Sequence, residues 1–301
     1  MSNPSIADFL RDVASEGCLA DCDPRRGGAF ASACSLVEAT GRSRSLRLAV
    51  ALASHLGSQG LLLSLGELFD PWVERSVAGD VVLAMPLSWE RNGDAAPREF
   101  GLCRGGSGLR LGGEVIVASD YEEADYVLLP FRRDDGSPAL DPHDPIGEGQ
   151  PAEIELAQVR GRMLVAHALA GTADAALQSS LDFAVSRPLK NGFLADQGAV
   201  RDQFAGMFSR HRIAAAFLAE TATDLGGGAK ATTFTRATMA QIVALEAATD
   251  CIDGCLQLLG GRGFLLETRL ARDYEALVSL LTLLPAIDLE LDLARRIDAR
   301  P

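Results

Sequence analysis

The chain has 301 residues, of which 48% are hydrophobic and 23% are charged, and its formal net charge at pH 7 is −13. This composition is typical of a soluble globular protein, and the length suffices for about two domains. Because a strongly acidic surface repels phosphate backbones and anionic lipid, the charge argues against binding to nucleic acid or to a membrane surface.

Two features of the sequence bear on the cellular compartment. Residues 1–17 lack a basic segment followed by an apolar one, so we expect no signal peptide. The most apolar stretch, residues 46–65, is interrupted by Arg47, His55 and Gln59, so we expect no transmembrane helix. The sequence therefore predicts a cytoplasmic protein.

The six cysteines include two pairs spaced four residues apart, Cys18 with Cys22 and Cys251 with Cys255. Zinc ligands use this spacing, but the four histidines are scattered and provide no second pair. We predict reduced, buried thiols and no metal site. The same scatter argues against a Ser-His-Asp or Cys-His catalytic site.

Residues 1–78 show helical periodicity that glycines at 27–28 and 57 interrupt, which predicts three or four short helices. Short apolar runs separated by glycine-containing turns follow, and they predict the strands of a small β-domain. These runs are residues 81–83, 109–111, 115–117 and 126–129. Residues 132–151 contain four prolines, three glycines and four aspartates, which is typical of a loop or linker.

From residue 151 onward the apolar side chains recur at three- and four-residue steps. Breaks at 187–192, 226–228 and 260–263 divide this part into four helical segments of roughly 30 to 38 residues, which pack most simply as an antiparallel four-helix bundle. The predicted fold class is α+β, mainly α. Its parts are an N-terminal helical region (1–78), a middle β-domain with linker (79–150) and a C-terminal bundle (151–301).

Three glycine clusters invite comparison with ligand-binding loops. The one at 226–228 lacks the Lys-Ser/Thr ending and the preceding strand of a phosphate loop, so we interpret it as a turn between helices. The one at 105–113 lies between strands and indicates a hairpin. The third, Gly260, Gly261 and Gly263, closes a long helix that carries Gln257, and it could be a capping turn or a place where a ligand approaches the backbone.

The segment from Gln257 to Phe264, followed by Leu270-Ala-Arg272-Asp273, resembles the C-terminal signature of flavin-dependent acyl-CoA dehydrogenases. Similar segments lie upstream, and the resemblance covers most of residues 80–295. They are residues 108–113, 123–127, 168–171, 183–187, 202–207 and 237–240. The resemblance implies the family's order of domains: N-terminal helices, a middle β-domain and a C-terminal bundle.

The sequence departs from the family where the catalytic base is expected. In the commonest pattern the base is a glutamate eight residues after the Arg-Asp pair, and this position holds Leu281. Other members carry it at the position of Gly161. Because removal of an acyl α-proton needs a positioned base, we predict no catalytic residue in this chain.

The expected flavin-ring pocket differs as well. The family's Thr-Glu-Pro corresponds to Ala84-Met85-Pro86, and its Trp-Ile-Thr corresponds to residues 117–119, Val-Ala-Ser. Trp89 is a candidate replacement for the missing tryptophan. The N-terminal helical region is also short for the family.

In the family that the sequence resembles, one subunit contributes residues to the FAD site of its neighbour. This sequence retains more of those residues than of the flavin-ring pocket. Arg187, Gln257, Gly260 and Gly261 match the positions that reach the adenine and pyrophosphate end of FAD in the partner. Arginine suits a pyrophosphate because its guanidinium is a permanent, forked donor. A further family glutamine falls on Gly198, although Gln197 stands beside it.

These observations predict the non-catalytic β-subunit of an α2β2 acyl-CoA dehydrogenase, which shares FAD with a catalytic α-subunit and acts on a substrate such as a steroid-derived acyl-CoA. One alternative is a homo-oligomeric enzyme with a relocated base or a carrier-protein-bound substrate. The other is a flavin-free scaffold protein. Arg272 and Asp273 are assigned to a structural ion pair or cap.

Overall fold

The computed structural model describes residues 5–26, 28–88, 99–104, 116–117, 123–131, 146–227, 231–284 and 286–298. Within these ranges the helices are α1 (Ile6–Ser15), α2 (Cys18–Cys22), α3 (Phe30–Ser43), α4 (Leu46–Ser64), α5 (Asp70–Val77), α6 (Pro151–Ser186), α7 (Gly198–Gly226), α8 (Ala231–Leu259), α9 (Arg269–Leu283) and α10 (Ala286–Asp298). The strands are β1 (Leu83–Ala84), β2 (Pro86–Ser88), β3 (Glu99–Arg104), β4 (Ile116–Val117), β5 (Tyr126–Phe131), β6 (Ile146–Glu148), β7 (Pro188–Leu189) and β8 (Gly192–Phe193). The predicted class, mainly helical with a small sheet, is confirmed.

The described residues of the N-terminal region form five helices, so the prediction of three or four was too low. Ser5 and Ser45 accept backbone hydrogen bonds at the starts of α1 and α4, from Asp8 and Leu48. The predicted break at Gly57 is wrong, because Gly57 lies inside α4. A glycine within a helix costs only about 1 kcal/mol relative to alanine, which packing can offset.

The sheet has four strands in the order β1-β5-β3-β6, with β1 parallel to β5 and the other pairs antiparallel. The run at 126–129 became β5, the run at 115–117 overlaps β4, and the run at 81–83 shares only Leu83 with β1. The run at 109–111 lies outside the described residues. The predictions missed β3, where Phe100 and Leu102 are buried on one face. They also assigned 146–148 to a linker, whereas it forms β6 and pairs with β3.

Three of the four predicted bundle segments form the long helices α6, α7 and α8. The break at 187–192 contains the β7–β8 hairpin, the one at 260–263 a 3₁₀ turn, and α7 ends at Gly226. The fourth segment is two helices, because α9 ends just before Pro285 in the sequence. A proline disfavours helical backbone at the residue before it, a signal that the periodicity argument overlooked.

Helix α6 is the centre of the fold and packs against α3, α4, α7 and α8. Residues 161–173 are buried at every position around this helix, as expected of a helix surrounded by others. One apolar cluster joins residues of the N-terminal helices, the sheet and the bundle. The division at residues 78 and 150 coincides with changes in element type, and as a division into domains it stays a prediction.

The contact between α3 and α6 is close because glycines face the neighbouring backbone. A Cβ at Gly41 would lie 2.5 Å from the Ala168 carbonyl oxygen, and one at Gly171 would overlap the Glu38 carbonyl oxygen. A side chain at either position would push the two helices apart. These glycines therefore fix the distance between the N-terminal helices and the bundle.

The cysteines are all within the described residues, and none forms a disulfide. Five of the six are buried, and Cys18 is half-buried. Burial raises the pKa of the Cys22 and Cys255 thiols to about 11, so both stay protonated. Among the residues that the structure describes, no group of three or more potential ligands could hold a metal ion.

One described helix, α4, is long and apolar enough to cross a membrane by length and composition. However, 83% of its apolar window is buried inside the protein. The core helix of a globular protein has the same properties, so this helix is weak evidence for a membrane span.

His55 connects α4 to the sheet from a fully buried position. Its Nδ1 accepts a hydrogen bond from the Leu83 backbone N–H at 3.1 Å, and its Nε2 lies 3.2 Å from the Ser76 carbonyl oxygen. A neutral ring satisfies both contacts, with Nε2 donating to Ser76. Burial lowers the pKa of His55 to about 4.

We predict that acidification destabilises the protein through His55. Because its pKa is lower in the folded protein than the ordinary 6.5, the neutral ring contributes its full stability above pH 6.5 and loses it as the pH falls toward 4. The expected loss in the free energy of unfolding is about 2 kcal/mol between pH 7 and pH 5. Urea unfolding at both pH values measures it. The account requires a smaller pH dependence in His55→Gln than in the wild type.

Candidate functional site

Four helix ends meet at one end of the bundle: the C-termini of α6 and α8 and the N-termini of α7 and α9. The Arg262 guanidinium, in the turn after α8, lies 5.9 Å from the centre of the Phe183 ring in the last turns of α6. The Gln203 side-chain amide near the start of α7 donates to the Gly254 carbonyl near the end of α8 at 3.4 Å. These contacts bring the predicted FAD-binding positions, which are distant in sequence, to the same end.

Arg187 lies directly after α6, where its backbone N–H caps the helix by bonding to the Phe183 carbonyl at 2.9 Å. Its side chain is exposed and forms no ion pair or hydrogen bond within the described part of the chain. The β7–β8 hairpin follows, and Gln197 then begins α7 without a side-chain cap. The first backbone N–H groups of α7 therefore lack a side-chain acceptor from Gln197.

Gln257, Gly260 and Gly261 are exposed at the same end. Gly260 has φ +58°, a left-handed conformation that favours glycine. Gly261 has no such conformation, and a Cβ there would meet nothing within 4 Å. Nothing in the described chain therefore requires glycine at 261. The Gln257 side chain has no hydrogen-bond partner among the described residues.

Large apolar side chains are exposed on the neighbouring segments. Leu189 and Phe193 on the β7–β8 hairpin are 42% and 47% exposed, and Phe264, Leu265 and Leu266 after the glycine turn are 52–65% exposed. The sequence analysis did not single out these residues, although the run Phe-Leu-Leu directly after a glycine turn is a visible signal. We call the set the bundle-end surface: Arg187, Leu189, Phe193, Gln257, Gly260, Gly261, Phe264, Leu265 and Leu266.

One of the two expected base positions, Gly161, lies where α6 crosses α4. A Cβ at Gly161 would be 3.2 Å and 3.3 Å from Cε and Sδ of Met85, and its Cα faces Gly57. Met85 is 1% exposed and fills this space. A glutamate at 161 would have to displace it, and Met85 itself stands where the family has the glutamate of Thr-Glu-Pro.

The other expected base position, Leu281, lies on α9. It is half-buried, and its side chain packs against the main apolar cluster. The nearest preceding acidic residue in the sequence, Glu275, is exposed. The prediction that this chain has no catalytic residue stays a prediction, and these placements give it a structural basis.

Asp273 and Arg272 have structural roles. The buried Asp273 accepts the backbone N–H of Leu46 at 2.8 Å, at the start of α4, and forms an ion pair with Arg269 at 3.0 Å. Arg272 donates to the backbone carbonyls of Leu266 and Glu267 at 2.9 Å and 3.1 Å. The ion-pair partner of Asp273 is thus Arg269, and Arg272 holds the loop that carries the exposed leucines.

Parts of the expected flavin-ring pocket lie outside the described residues. They are Trp89 and residues 118–119. The described part includes Ala84 and Met85, which are both buried.

Part of this chain matches a known protein family. Residues 155–280 match the family model "Acyl-CoA dehydrogenase, C-terminal domain". No curated protein matches the chain in sequence.

Solved structures resemble the chain over nearly its whole length. A steroid ACAD named Tcur3481-Tcur3483, as its G363A variant, has a TM-score of 0.76 at 21% identity, covering 97% of this chain and 88% of its own. The FAD complex of PigA has a TM-score of 0.75 at 16% identity, with coverages of 98% and 90%. Butyryl-CoA dehydrogenase from Megasphaera elsdenii has a TM-score of 0.72 at 15% identity, with coverages of 96% and 89%.

The chain therefore has the fold of the acyl-CoA dehydrogenases. The residues that match the family model, 155–280, include Gly161, Arg187, Gln257, Gly260 and Gly261.

We predict that Gly161→Glu destabilises the protein instead of creating a base. The new side chain collides with Met85, and overpacking of a core typically costs about 1–3 kcal/mol. The double variant Gly161→Glu/Met85→Ala should recover part of the loss, because the collision is removed. Thermal unfolding of both variants checks this. Equal melting temperatures for the wild type and Gly161→Glu would show that Met85 does not fill the space.

Proposed function

We propose that this chain is the non-catalytic subunit of a heteromeric, FAD-dependent acyl-CoA dehydrogenase. In this assembly a catalytic subunit supplies the base and the pocket for the flavin ring. This chain supplies Arg187, Gln257, Gly260 and Gly261 to the other end of the same FAD. A β-subunit in an α2β2 tetramer is the simplest such arrangement.

The observation that carries the proposal is the composition of the bundle-end surface. Its polar side chains, Arg187 and Gln257, are exposed without partners in the described chain, and Gly261 is a glycine that the chain itself does not need. Exposed apolar side chains surround them, which is typical of a protein interface. A neighbouring subunit that brings FAD to this surface would account for both features.

The groups present fit the adenine and pyrophosphate end of FAD. Arg187 can donate two parallel hydrogen bonds to a phosphate, and the absence of a side chain at Gly261 lets a ligand approach the backbone. The Gln257 amide can donate to and accept from an adenine or ribose. The uncapped start of α7 adds backbone donors and positive partial charge.

This end of the bundle carries partial charges of both signs. The size of each contribution decides whether an anion is favoured there. The C-termini of α6 and α8 carry negative partial charge, which disfavours an anion by about 0.3–1 kcal/mol each. A hydrogen bond from a charged group contributes about 1.5–3 kcal/mol. Two such bonds from Arg187, together with the N-terminus of α7, therefore outweigh the two C-termini.

The division of labour follows from the two base positions. Gly161 has no space for a carboxylate beside Met85, and Leu281 is part of the apolar packing. When bound, FAD supplies the acceptor for the hydride of the substrate. The residues of this chain would bind and orient the adenine and pyrophosphate end of FAD, while the partner would take the acyl α-proton.

The similarity to the steroid ACAD Tcur3481-Tcur3483, whose name joins two designations, supports a heteromer and a steroid-derived acyl-CoA as the first substrate to test. The acidic surface of this chain is compatible with a cytoplasmic enzyme. The steroid-derived acyl group and the cytoplasmic location are therefore parts of the proposal.

The proposal predicts flavin in the complex and none in the isolated chain. The chain is purified alone and after co-expression with an adjacently encoded acyl-CoA dehydrogenase, and visible flavin absorbance is measured per protein. A colourless chain and a yellow complex are expected. A yellow chain on its own would contradict the proposal and favour a self-sufficient enzyme, whereas a colourless complex would favour a flavin-free scaffold.

The same complex tests the residue assignment. Arg187→Ala should lower its FAD content at least about tenfold at limiting FAD, because two charged hydrogen bonds to the pyrophosphate are lost. The matched control is Arg212→Ala, which removes an exposed arginine from the middle of α7. If both variants retain the flavin content of the wild type, Arg187 does not contact FAD.

A further inference from the structure

A second exposed arginine, Arg262, lies at the same end of the bundle as Arg187. It is the last residue of the 3₁₀ turn Gly260–Arg262 that follows α8. Its guanidinium carbon lies 5.9 Å from the centre of the Phe183 ring, within the distance of about 6 Å for a cation–π contact. Its side chain forms no ion pair or hydrogen bond with any residue that the structure describes. Its N–H donors are therefore all unused by these residues.

The backbone of the turn fixes the direction in which Arg262 leaves it. Gly260 adopts φ +58°, and its carbonyl accepts the Gly263 backbone N–H at 2.9 Å. A Cβ at Gly263 would lie 2.6 Å from the Leu256 carbonyl oxygen, so the turn lies directly against the end of α8. Arg262 is consequently held from both sides, by this tight turn at its backbone and by Phe183 at its guanidinium.

Phe183 connects Arg262 with Arg187. It is half-buried in the last turn of α6, and its carbonyl oxygen accepts the Arg187 backbone N–H at 2.9 Å. The Arg262 guanidinium thus lies beside a residue one helical turn before Arg187, and one turn rises about 5.4 Å. Two arginines that are 75 positions apart in the sequence therefore reach the same place from two segments of the chain.

No carboxylate of the described ranges pairs with either arginine. Asp182, the residue before Phe183, accepts the Gln178 side-chain amide at 3.0 Å. Asp196 accepts the backbone N–H of Phe193 at 2.7 Å, which fixes the β7–β8 hairpin. Two guanidinium groups without a counter-charge repel each other when they are close, and an anion between them removes this cost. The arrangement therefore favours an anion that carries charge on more than one group.

We propose that Arg262 is a second cation for the pyrophosphate of FAD and that Phe183 is its positioning residue. This inference rests on the proposed function, in which Arg187 meets the same pyrophosphate. Because each phosphate group of FAD carries a negative charge, two guanidinium groups match the pyrophosphate better than one. Phe183 holds the Arg262 guanidinium before FAD arrives, which reduces the side-chain freedom that is lost on binding.

FAD binding to the complex of this chain with its catalytic partner tests the proposal. The flavin is removed from the complex, and its rebinding is measured by flavin fluorescence. Arg262→Gln should weaken FAD binding at least about tenfold, because a charged hydrogen bond is lost. Since Arg262 is exposed, the melting temperature of the flavin-free complex should stay unchanged.

Competition by two fragments of FAD separates a phosphate contact from a structural role of Arg262. ADP keeps the adenine, the ribose and the pyrophosphate, whereas adenosine lacks both phosphates. Arg262→Gln should weaken competition by ADP at least about tenfold and leave competition by adenosine unchanged. The matched control is Arg212→Gln, which removes the same charge from the middle of α7 and should bind all three molecules as the wild type does.

A double-mutant cycle tests the role of Phe183. Phe183→Leu keeps an apolar side chain but removes the ring, so it should weaken FAD and ADP binding less than Arg262→Gln does. In the Arg262→Gln background the same change should have no further effect, because Phe183 acts through Arg262.

The proposal is wrong if Arg262→Gln binds FAD and ADP with unchanged affinity, or if it weakens ADP and adenosine equally. An undiminished effect of Phe183→Leu in the Arg262→Gln background overturns the role of Phe183. The two levels of the account fail in different ways. Loss of FAD in Arg187→Ala together with unchanged binding in Arg262→Gln contradicts this inference alone, whereas a colourless wild-type complex contradicts the proposed function and this inference with it.

Discussion

The close crossing of α6 with α3 and α4 is the constraint on which the rest of the structure depends. At one crossing Gly41 and Gly171 face carbonyl oxygens of the opposite helix, and at the other Gly57 faces the Cα of Gly161. Because these contacts leave no room for side chains, the N-terminal helices lie directly on the bundle. The N-terminal helices, the sheet and the bundle consequently share one apolar cluster.

The same close packing bears on function. Met85 from the sheet region fills the space beside Gly57 and Gly161, at a position where members of the family have a base. The opposite end of α6 has the reverse character, since polar groups and large apolar side chains remain exposed there. The contrast between the filled space beside Gly161 and the incomplete surface at the other end of α6 is what favours a subunit that completes another protein's site.

Sequence periodicity predicted the bundle, since the apolar repeats of α6, α7 and α8 are long and their breaks contain glycine or proline. It misjudged Gly57, because a glycine that permits a close helix crossing has the same local signal as one that ends a helix. It missed β3, where Glu99, Gly101 and Arg104 interrupt the apolar residues, and the break before Pro285, which the periodicity of the flanking residues concealed.

The candidate site residues were taken from motif positions and stay a prediction, and the fold brings Arg187 and Gly260 to one end of the bundle. The role of Met85 could not be predicted, because it depends on the meeting of three elements far apart in sequence.

The most direct test of the central claim is an experimental structure of this chain in complex with its catalytic partner and FAD. The account predicts that the Arg187 guanidinium lies within hydrogen-bond distance of the FAD pyrophosphate. It also predicts that the flavin ring lies in the partner and that Met85 still occupies the space beside Gly161. A flavin ring bound within this chain, or FAD far from Arg187, would contradict the account.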